Sequence, residues 1–450
     1  MKLSDVKIKM YKIFILLVIL EFVPGAHAKS QNVAVIPFEN VGKNQDLDWL
    51  SLGIPETITT DLLSIPGIVV IERLQLMRIL EEQSLHLTGL IDEKTALSVG
   101  ELIGADIIVL GAYQKSAETI RLTSRFVDVK TGAVIQSSKA TGPMDSIFDL
   151  QDEIVRGLAA KLNIELKEQD LDKIAERPTE SIEAYRHFGQ GALLQVRLDS
   201  QGSLAELKKA TDLDPNFKAA KDKFKEVFWS LNEGNYWVYD LRGNIPGIFT
   251  SREMVRQVTR RAGPGKNMKQ GSAFSYYREL NEIEGAAKNK ERSGEFYTKG
   301  DKGIMLTGSY FAFLKKDGKT ASSEYFYENS PLPLYFPYDL KSGTQWTNDY
   351  ITDVQTPVGP HQARIHEKFS VGTEMEVSVP AGKFNCLPVS MTAQWRGEVE
   401  NEDRESTFWF APGVGIVKSL IVTYQVNKSG ARKEKSYWNF SEELTQYRIQ

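Results

Sequence analysis

The chain has a single cysteine, Cys386, among its 450 residues. An intramolecular disulfide is therefore excluded, and packed cores have to supply the stability whatever the redox state of the compartment. Long apolar runs are scarce too. After the first 28 residues, no stretch approaches the roughly 20 apolar residues that a membrane-spanning helix needs.

An excess of positive charge is also lacking, because the net charge is −4 at pH 7. Removing residues 1–28, with their four lysines and two acidic residues, makes it −6. This mild acidity argues against a nucleic-acid or anionic-lipid partner. The remaining 422 residues suffice for two to three domains of ordinary size.

The first 28 residues predict a cleavable secretory signal peptide. A lysine-rich start is followed by an apolar run from Ile13 to Leu20 and by Ala26-His27-Ala28, a small-residue cleavage site. An uncleaved membrane anchor is the alternative, but Glu21 and Pro24 interrupt the run too early for a span.

The residue after the predicted cleavage site is Lys29, whereas a bacterial lipid anchor requires cysteine there. We therefore expect an exported protein that is free or peripherally attached.

Residues 29–166 predict a layered α/β domain with the order βαβααβββα. Apolar residues at helical spacing (Leu50, Ile54, Ile58, Leu62) follow a first strand over 33–38. Further helices are predicted over 74–83, from Asp92 to Gly104 with Ala96, Val99, Leu102 and Ile103, and over 147–162. Gly132 is expected to close a hairpin between Thr119–Asp128 and Ala133–Ser138.

The strings VAVIPFENVGKNQDLDWLSLGIPETITTDLLSIPGIVVIERLQLMRILEEQ, GADIIVLGAY and VDVKTGAVI occur in this order over about 130 residues. They resemble the N-terminal domain shared by the CsgG curli-assembly family, the FlgO flagellar proteins and TolB-like N-terminal domains. The resemblance implies a noncatalytic envelope module for protein contacts. It does not imply a secretion pore, because the lipidated cysteine and long membrane hairpins of true curli channels are missing.

Residues 167–234 predict a linker followed by three helices. The charged stretch 165–180 reads as a linker or frayed helix end. Thr179 is a candidate helix cap, and the segment around Leu213-Asp214-Pro215-Asn216-Phe217 is similar to a tetratricopeptide repeat, with Pro215 at the start of the next helix. With fewer than two repeats visible, we expect the helices to pack against a neighbouring domain.

Residues 235–450 predict a β-rich domain, an antiparallel sheet curved to a half-barrel from about Phe296 to Trp438. Its aromatics either fill the core or line a site for a lipid or other apolar ligand. They include Tyr325, Tyr327, Tyr335, Tyr338, Trp346, Trp395, Trp409 and Trp438. The pieces VSVPAGKFNCLPV and TFWFAPGVGIVKSL resemble a pair found in uncharacterised periplasmic β-domains, for which no activity is implied.

No residue set predicts catalysis. Cys386 shares its domain with His361 and His366, but no nucleophile motif accompanies them, and a gap of five residues fits neither one strand face nor one helix turn for a metal. We therefore predict a non-enzyme with no catalytic residues, metal or cofactor.

Two charged groups have ordinary structural explanations. The acidic residues Glu39, Asp46 and Asp48 follow the first strand, where turn and capping roles account for them. The basic residues Arg252, Arg256, Arg260 and Arg261 precede GPGK, which is too short for a phosphate loop.

Together with the export signal, the resemblance implies an accessory protein that mediates protein–protein contacts in cell-envelope assembly or secretion. The expected location is the periplasm or the periplasmic face of the outer membrane of a Gram-negative bacterium. The expected partners are envelope proteins or further copies of the chain, bound through the N-terminal domain, with no nucleic acid. The alternative is a periplasmic carrier that binds a lipid or other apolar ligand in the β-domain.

Overall fold

The computed structural model of the protein describes residues 30–71, 93–229, 235–244, 254–264, 274–280, 290–314, 321–399, 401–427, 429–433 and 438–449. The chain divides into two compact units, one of residues up to 44 and 54–177, the other of residues 45–53 and 178–450. The predicted signal peptide, the helix over 74–83 and the cap at Asp92 lie outside the described residues.

The first unit is built on a mixed sheet. Its strands are β1 Gln31–Val35, β2 Glu39–Asn40, β3 Ile68–Val70, β4 Ile107–Ser116, β5 Thr119–Asp128 and β6 Val134–Pro143. Their order is β3-β1-β4-β5-β6, and β2 pairs with β4. The β1–β3, β1–β4 and β2–β4 pairs are parallel, and the β4–β5 and β5–β6 pairs are antiparallel. The helices are α1 Leu50–Leu63, whose first turn belongs to the second unit, α2 Glu93–Ile103, α3 Ile147–Lys161 and α4 Glu168–Ile174. This layout confirms the predicted layered α/β class.

The apolar spacing of this region is confirmed with one exception. Leu50, Ile54, Ile58 and Leu62 are all buried along α1. Gly132 has a φ of +67° in the turn that joins β5 to β6, a conformation that glycine adopts without strain. Leu102 lies in α2 as predicted, but it is 54% exposed. Ala96, Val99 and Ile103 recur at helical spacing on the buried side, and Leu102 lies beside that stripe.

The stretch over 165–180 is more ordered than a linker. It contains α4, which begins where the Lys167 amide donates to the Asp170 carboxylate at 3.0 Å. Ile174, at the end of α4, is buried. The apolar pattern gave little signal of this helix, because Ile174 is its one buried apolar residue.

Three helices open the second unit: α5 Ile182–Val196, α6 Ser200–Leu213 and α7 Lys218–Phe228. Ser181, not Thr179, caps α5, since its hydroxyl accepts from the Ala184 amide at 3.1 Å. The Thr179 hydroxyl instead donates to Asp214. Pro215 lies in the turn before α7 rather than at its first position. The Asp214 carboxylate accepts from the Asn216 amide and stabilises this turn.

The rest of the second unit is an antiparallel sheet, as predicted, although it starts at Tyr236 instead of near Phe296. The strands are β7 Tyr236–Asn244, β8 Met254–Pro264, β9 Phe274–Leu280, β10 Lys290–Lys299, β11 Gly303–Leu314, β12 Ala321–Ser330, β13 Leu334–Pro337, β14 Gln345–Thr356, β15 Gly359–Val371, β16 Met375–Val379, β17 Gly382–Gly397, β18 Asn401–Ala411, β19 Gly415–Gln425 and β20 Trp438–Arg448. Their order in the sheet is β10-β9-β8-β7-β20-β19-β18-β17-β15-β14-β12-β11-β13; β10 also pairs with β11, and β16 with β17.

An aromatic cluster joins the helices of the second unit to its sheet. Trp229, just after α7, packs against Tyr297 and Phe336 with ring centroids 5.2 and 5.6 Å apart. Phe336 in turn stacks on Phe410 at 4.3 Å. Aromatic pairs of this kind contribute about 1 kcal/mol each beyond the area they bury. The helical segment is therefore packed against the β-sheet, in agreement with the expectation that these helices pack against a neighbouring element.

Candidate functional site

The first unit carries a surface groove of about 510 Å³. The β1–β2 segment forms one side of it, and β4, β5 and β6 form the rest. Its lining residues are Ile36, Pro37, Glu39, Leu110, Gly111, Ala112, Thr123, Ser124, Arg125, Ser137, Ser138 and Lys139. The volume lies within the 300–1,000 Å³ typical of ligand sites.

Strand register sets the chemistry of this groove. Thr123 lies opposite Lys139, and Arg125 lies opposite Ser137, in the β5–β6 ladder. Because side chains alternate along a strand, these four share one face of the sheet. Arg125, Ser137 and Lys139 are exposed, so this face presents cations and hydroxyls to solvent.

Gly111, one of the residues that line the groove, is approached closely by Phe38. A Cβ atom at this position would lie 2.1 Å from the Phe38 ring, which is fully buried. Opposite Gly111 in the ladder, Ser124 is 2% exposed, and its hydroxyl has no hydrogen-bond partner in the described chain. An unsatisfied buried hydroxyl costs about 1–3 kcal/mol. The absence of a side chain at Gly111 leaves the room that the Phe38 ring occupies.

The acidic residues of the sequence do not act as one group. Glu39 lies in β2, opposite Ala112, and lines the groove. Asp46 and Asp48 belong to the segment 45–53, which is part of the second unit. The Asp48 carbonyl accepts from the Ser51 amide at 3.0 Å and from its hydroxyl at 2.6 Å, at the start of α1.

Cys386 and the two histidines are separated. Cys386 is fully buried, and its thiol contacts the Phe384 carbonyl at 3.6 Å. Burial raises the pKa of this thiol to about 12, so it is protonated at neutral pH. His366 lies opposite Gln394 of β17, eight residues from Cys386 on that strand, a distance of roughly 26 Å along an extended chain. This arrangement offers no thiolate–imidazole pair.

His361 and His366 lie on opposite faces of β15, because five residues separate them. His366 is bonded to Asp349 at 2.7 Å through its Nδ1 atom. In the part of the chain that the structure describes, no group of three His, Cys, Asp or Glu residues could hold a metal ion. Arg252 and the side chains of Arg256, Arg260 and Arg261 lie outside the description.

A buried polar network lies inside the second unit. The Glu367 carboxylate accepts from Asn348 at 2.9 Å and from the Tyr350 hydroxyl at 3.0 Å. Burial raises the pKa of Glu367, and burial together with this carboxyl raises that of Tyr350. The Asn348 side chain also accepts a hydrogen bond from the Leu334 amide and donates one to the Leu334 carbonyl. Sequence periodicity alone gave no signal of this network, which ties β13 to β14 and β15.

The aromatic residues of the second unit contact one another. Trp346 stacks on Phe369 with ring centroids 4.5 Å apart, and Tyr335 lies 4.8 Å from Phe336. Trp409 differs, because the Lys418 ammonium lies 5.7 Å from its ring centre. Trp346 and Tyr335 therefore contribute to the domain's own packing, one of the two roles predicted for the aromatics. The side chain of Trp438 lies outside the description.

Two parts of the chain match sequence models of protein families. Residues 27–113 match CsgG, the curli production assembly/transport component, and residues 295–431 match a DUF3108-like family. The FlgO, TolB and tetratricopeptide resemblances stay predictions. None of the helices in the described residues is long and apolar enough to cross a membrane.

A Rhizobium meliloti protein that carries the name adenylate cyclase 3 is 26% identical over 192 residues, which are 42% of this chain and 31% of that protein. The chain therefore spans under a third of this relative's length.

Similar solved structures cover parts of the chain. The LpoB C-terminal domain from Escherichia coli is 15% identical, with a TM-score of 0.23 over 28% of this chain and 93% of its own. An exported protein with a YmcC-like fold from Bacteroides fragilis is 14% identical, with a TM-score of 0.28 over 49% of this chain and 99% of its own. The PelC dodecamer from Paraburkholderia phytofirmans is 17% identical, with a TM-score of 0.20 over 30% of this chain and 90% of its own.

Proposed function

We propose that this protein is a non-catalytic accessory protein of the Gram-negative cell envelope, exported to the periplasm or to the periplasmic face of the outer membrane. Its N-terminal unit contacts envelope-assembly partners or further copies of the chain. The observation that carries the proposal is the CsgG match over 27–113, since CsgG is a component of curli production, assembly and transport. The matched region contributes the β1–β2 side of the groove and its β4 floor.

The non-catalytic part of the proposal rests on the separation of the reactive side chains. The Cys386 thiol is buried with a pKa raised to about 12, and His366 lies far along the sheet from it. The cyclase name belongs to a relative of which 31% is covered, so we expect no conversion of ATP to cyclic AMP. Formation of cyclic AMP by the purified protein with Mg²⁺ or Mn²⁺ would refute this part.

A carrier role for the β-rich domain has less support. A carrier needs apolar side chains that face an open space, whereas rings such as Phe336 and Phe410 stack on each other. Native mass spectrometry of protein purified from its own host separates the two roles, because a carrier brings its ligand with it.

The assembly role is tested by pull-down from solubilised envelopes and by size-exclusion chromatography with light scattering. We expect a retained envelope protein, or a self-assembled oligomer. A monomer that retains no partner at micromolar concentration contradicts the proposal.

A further inference from the structure

The groove of the first unit opens onto a basic strip of the sheet. Arg121 and Arg125 lie on β5 and Lys139 on β6, and all three are exposed. Their positions in the ladder place them on one face, with Thr123 and Ser137 between them. Glu39, on the β1–β2 side, is the acidic residue among the lining side chains. The charge of the strip is opposite to that of the whole chain, which is −4.

The same surface ends at a sheet edge. Strand β6 spans ten residues and pairs with β5 on one side; among the described strands, no other pairs with it. Such an edge offers main-chain donors and acceptors to an extended segment of another chain. Exposed Lys139 and the nearby Pro143 limit indiscriminate pairing with apolar strands.

We infer that the groove and the β6 edge bind an extended, carboxylate-bearing segment of a partner protein. This inference rests on the proposed protein-contact function and names the chemistry of the partner. The backbone of the segment pairs with β6, and its acidic side chains, on every second residue, point to Arg125 and Lys139. Charge complementarity selects this partner over a basic or purely apolar segment.

Glu39 orients the bound segment within the groove. It faces the groove from the side opposite β5 and β6, so the carboxylates of a bound segment avoid it and turn to the basic strip. Replacing Glu39 by glutamine therefore tightens binding of an acidic segment, by roughly twofold to threefold for an exposed charge.

The test is fluorescence anisotropy with the full-length protein and labelled peptides of about ten residues. The peptides alternate threonine with glutamate, with lysine or with glutamine. We expect the glutamate peptide to bind at least about tenfold more tightly than the lysine peptide, and its affinity to fall as NaCl is raised. Equal affinities, or binding to anionic lipid vesicles with none to the glutamate peptide, overturn the inference.

Variants locate the site. Arg125→Gln and Lys139→Gln each weaken binding of the glutamate peptide roughly tenfold, as expected for the loss of one charge-assisted hydrogen bond. Lys161→Gln is the matched control: Lys161 is exposed at the end of α3, whose Gly157 approaches Ser138 on the other face of the sheet. Unchanged affinity in both groove variants overturns the assignment.

A charge-reversal variant distinguishes loss of the binding site from loss of binding through misfolding. Lys139→Glu should bind the lysine peptide more tightly than the original protein does, a gain that an unfolded variant cannot produce. If pull-downs retain an envelope partner but no variant changes peptide binding, the inference about the groove fails and the proposed function stands. If no partner is retained while the peptides bind as expected, the proposed function fails and the inference about the groove stands.

Discussion

A buried carboxyl in the first unit makes a quantitative prediction about stability and pH. Asp61 of α1 is 7% exposed, and its Oδ2 atom has no hydrogen-bond partner in the described chain. Burial, followed by the charge of Asp152 on α3, raises the pKa of Asp61 to about 8 from 3.8. Burial also raises the pKa of Asp152, to about 6, against the opposing effect of Arg156.

The direction of the effect follows from proton linkage. The folded state holds a proton on Asp61 that the unfolded chain releases above pH 4, so stability falls as the pH rises from about 4 to about 8 and then levels off. Each unit of pKa shift corresponds to about 1.4 kcal/mol, which gives an upper bound of about 5 kcal/mol at pH 8. Asp61 and Asp152 titrate as a pair, so the loss is spread over the pH range of both.

The substitution Asp61→Asn removes the charge at nearly constant shape. We expect the variant to match the original protein near pH 4 and to be more stable by several kcal/mol near pH 8. All seven tryptophans lie outside 54–177, so fluorescence does not report on this unit. Hydrogen exchange of peptides from α1 and α3, corrected for the intrinsic exchange rate at each pH, is the suitable assay.

The control is Asp145→Asn, an exposed aspartate before α3, which should leave the pH profile unchanged. The reasoning is refuted if Asp61→Asn retains the full pH dependence, or if protection in α1 and α3 is no greater at pH 8 than in the original protein.

Three further substitutions or probes test other parts of the structure. Gly111→Ala should destabilise the first unit by about 1–3 kcal/mol because the new Cβ displaces Phe38; unchanged exchange in β4 would contradict this. Cys386 should resist Ellman's reagent at pH 8 until the protein is unfolded; rapid labelling of the native protein would show that the thiol is accessible. Asp403→Asn should destabilise the second unit by about 2 kcal/mol at pH 7, since Asp403 is 5% exposed between Arg396 at 2.7 Å and Arg432 at 2.8 Å. Burial opposes ionisation of Asp403, but the two arginines outweigh it and lower its pKa, so the loss should shrink as the pH falls below about 4. Tryptophan fluorescence in urea measures the loss, and a loss that is as large at pH 2 as at pH 7 would exclude the ion pairs as its cause.

Periodicity in the sequence was sufficient for the elements with one buried face. The spacing of Leu50, Ile54, Ile58 and Leu62 located α1, and alternation with turn glycines indicated the antiparallel sheet. Local signals were weaker where two residues compete for one role. Thr179 and Ser181 are both good caps, and only the contact of Thr179 with Asp214, 35 residues away, decides between them.

The groove could not be read from the sequence because register creates it. Arg125 and Lys139 are 14 residues apart and become neighbours on one face only through the β5–β6 pairing. The alternation of Arg121, Thr123 and Arg125 was a usable signal, since polar residues on one face of a strand mark its solvent side. The groove also brings together the β1–β2 segment and β4, and Phe38 of that segment approaches Gly111 of β4 closely.

Site-specific photo-crosslinking in the native host tests the central claim most directly. A benzoylphenylalanine at position 137, on the exposed face of β6, should form adducts with an envelope protein or with a second copy of the chain, and the adducts should fractionate with the envelope. The same probe at position 161 of α3 should give none of these adducts. Adducts with cytoplasmic proteins alone, or none at position 137, would contradict an envelope role exercised through this groove.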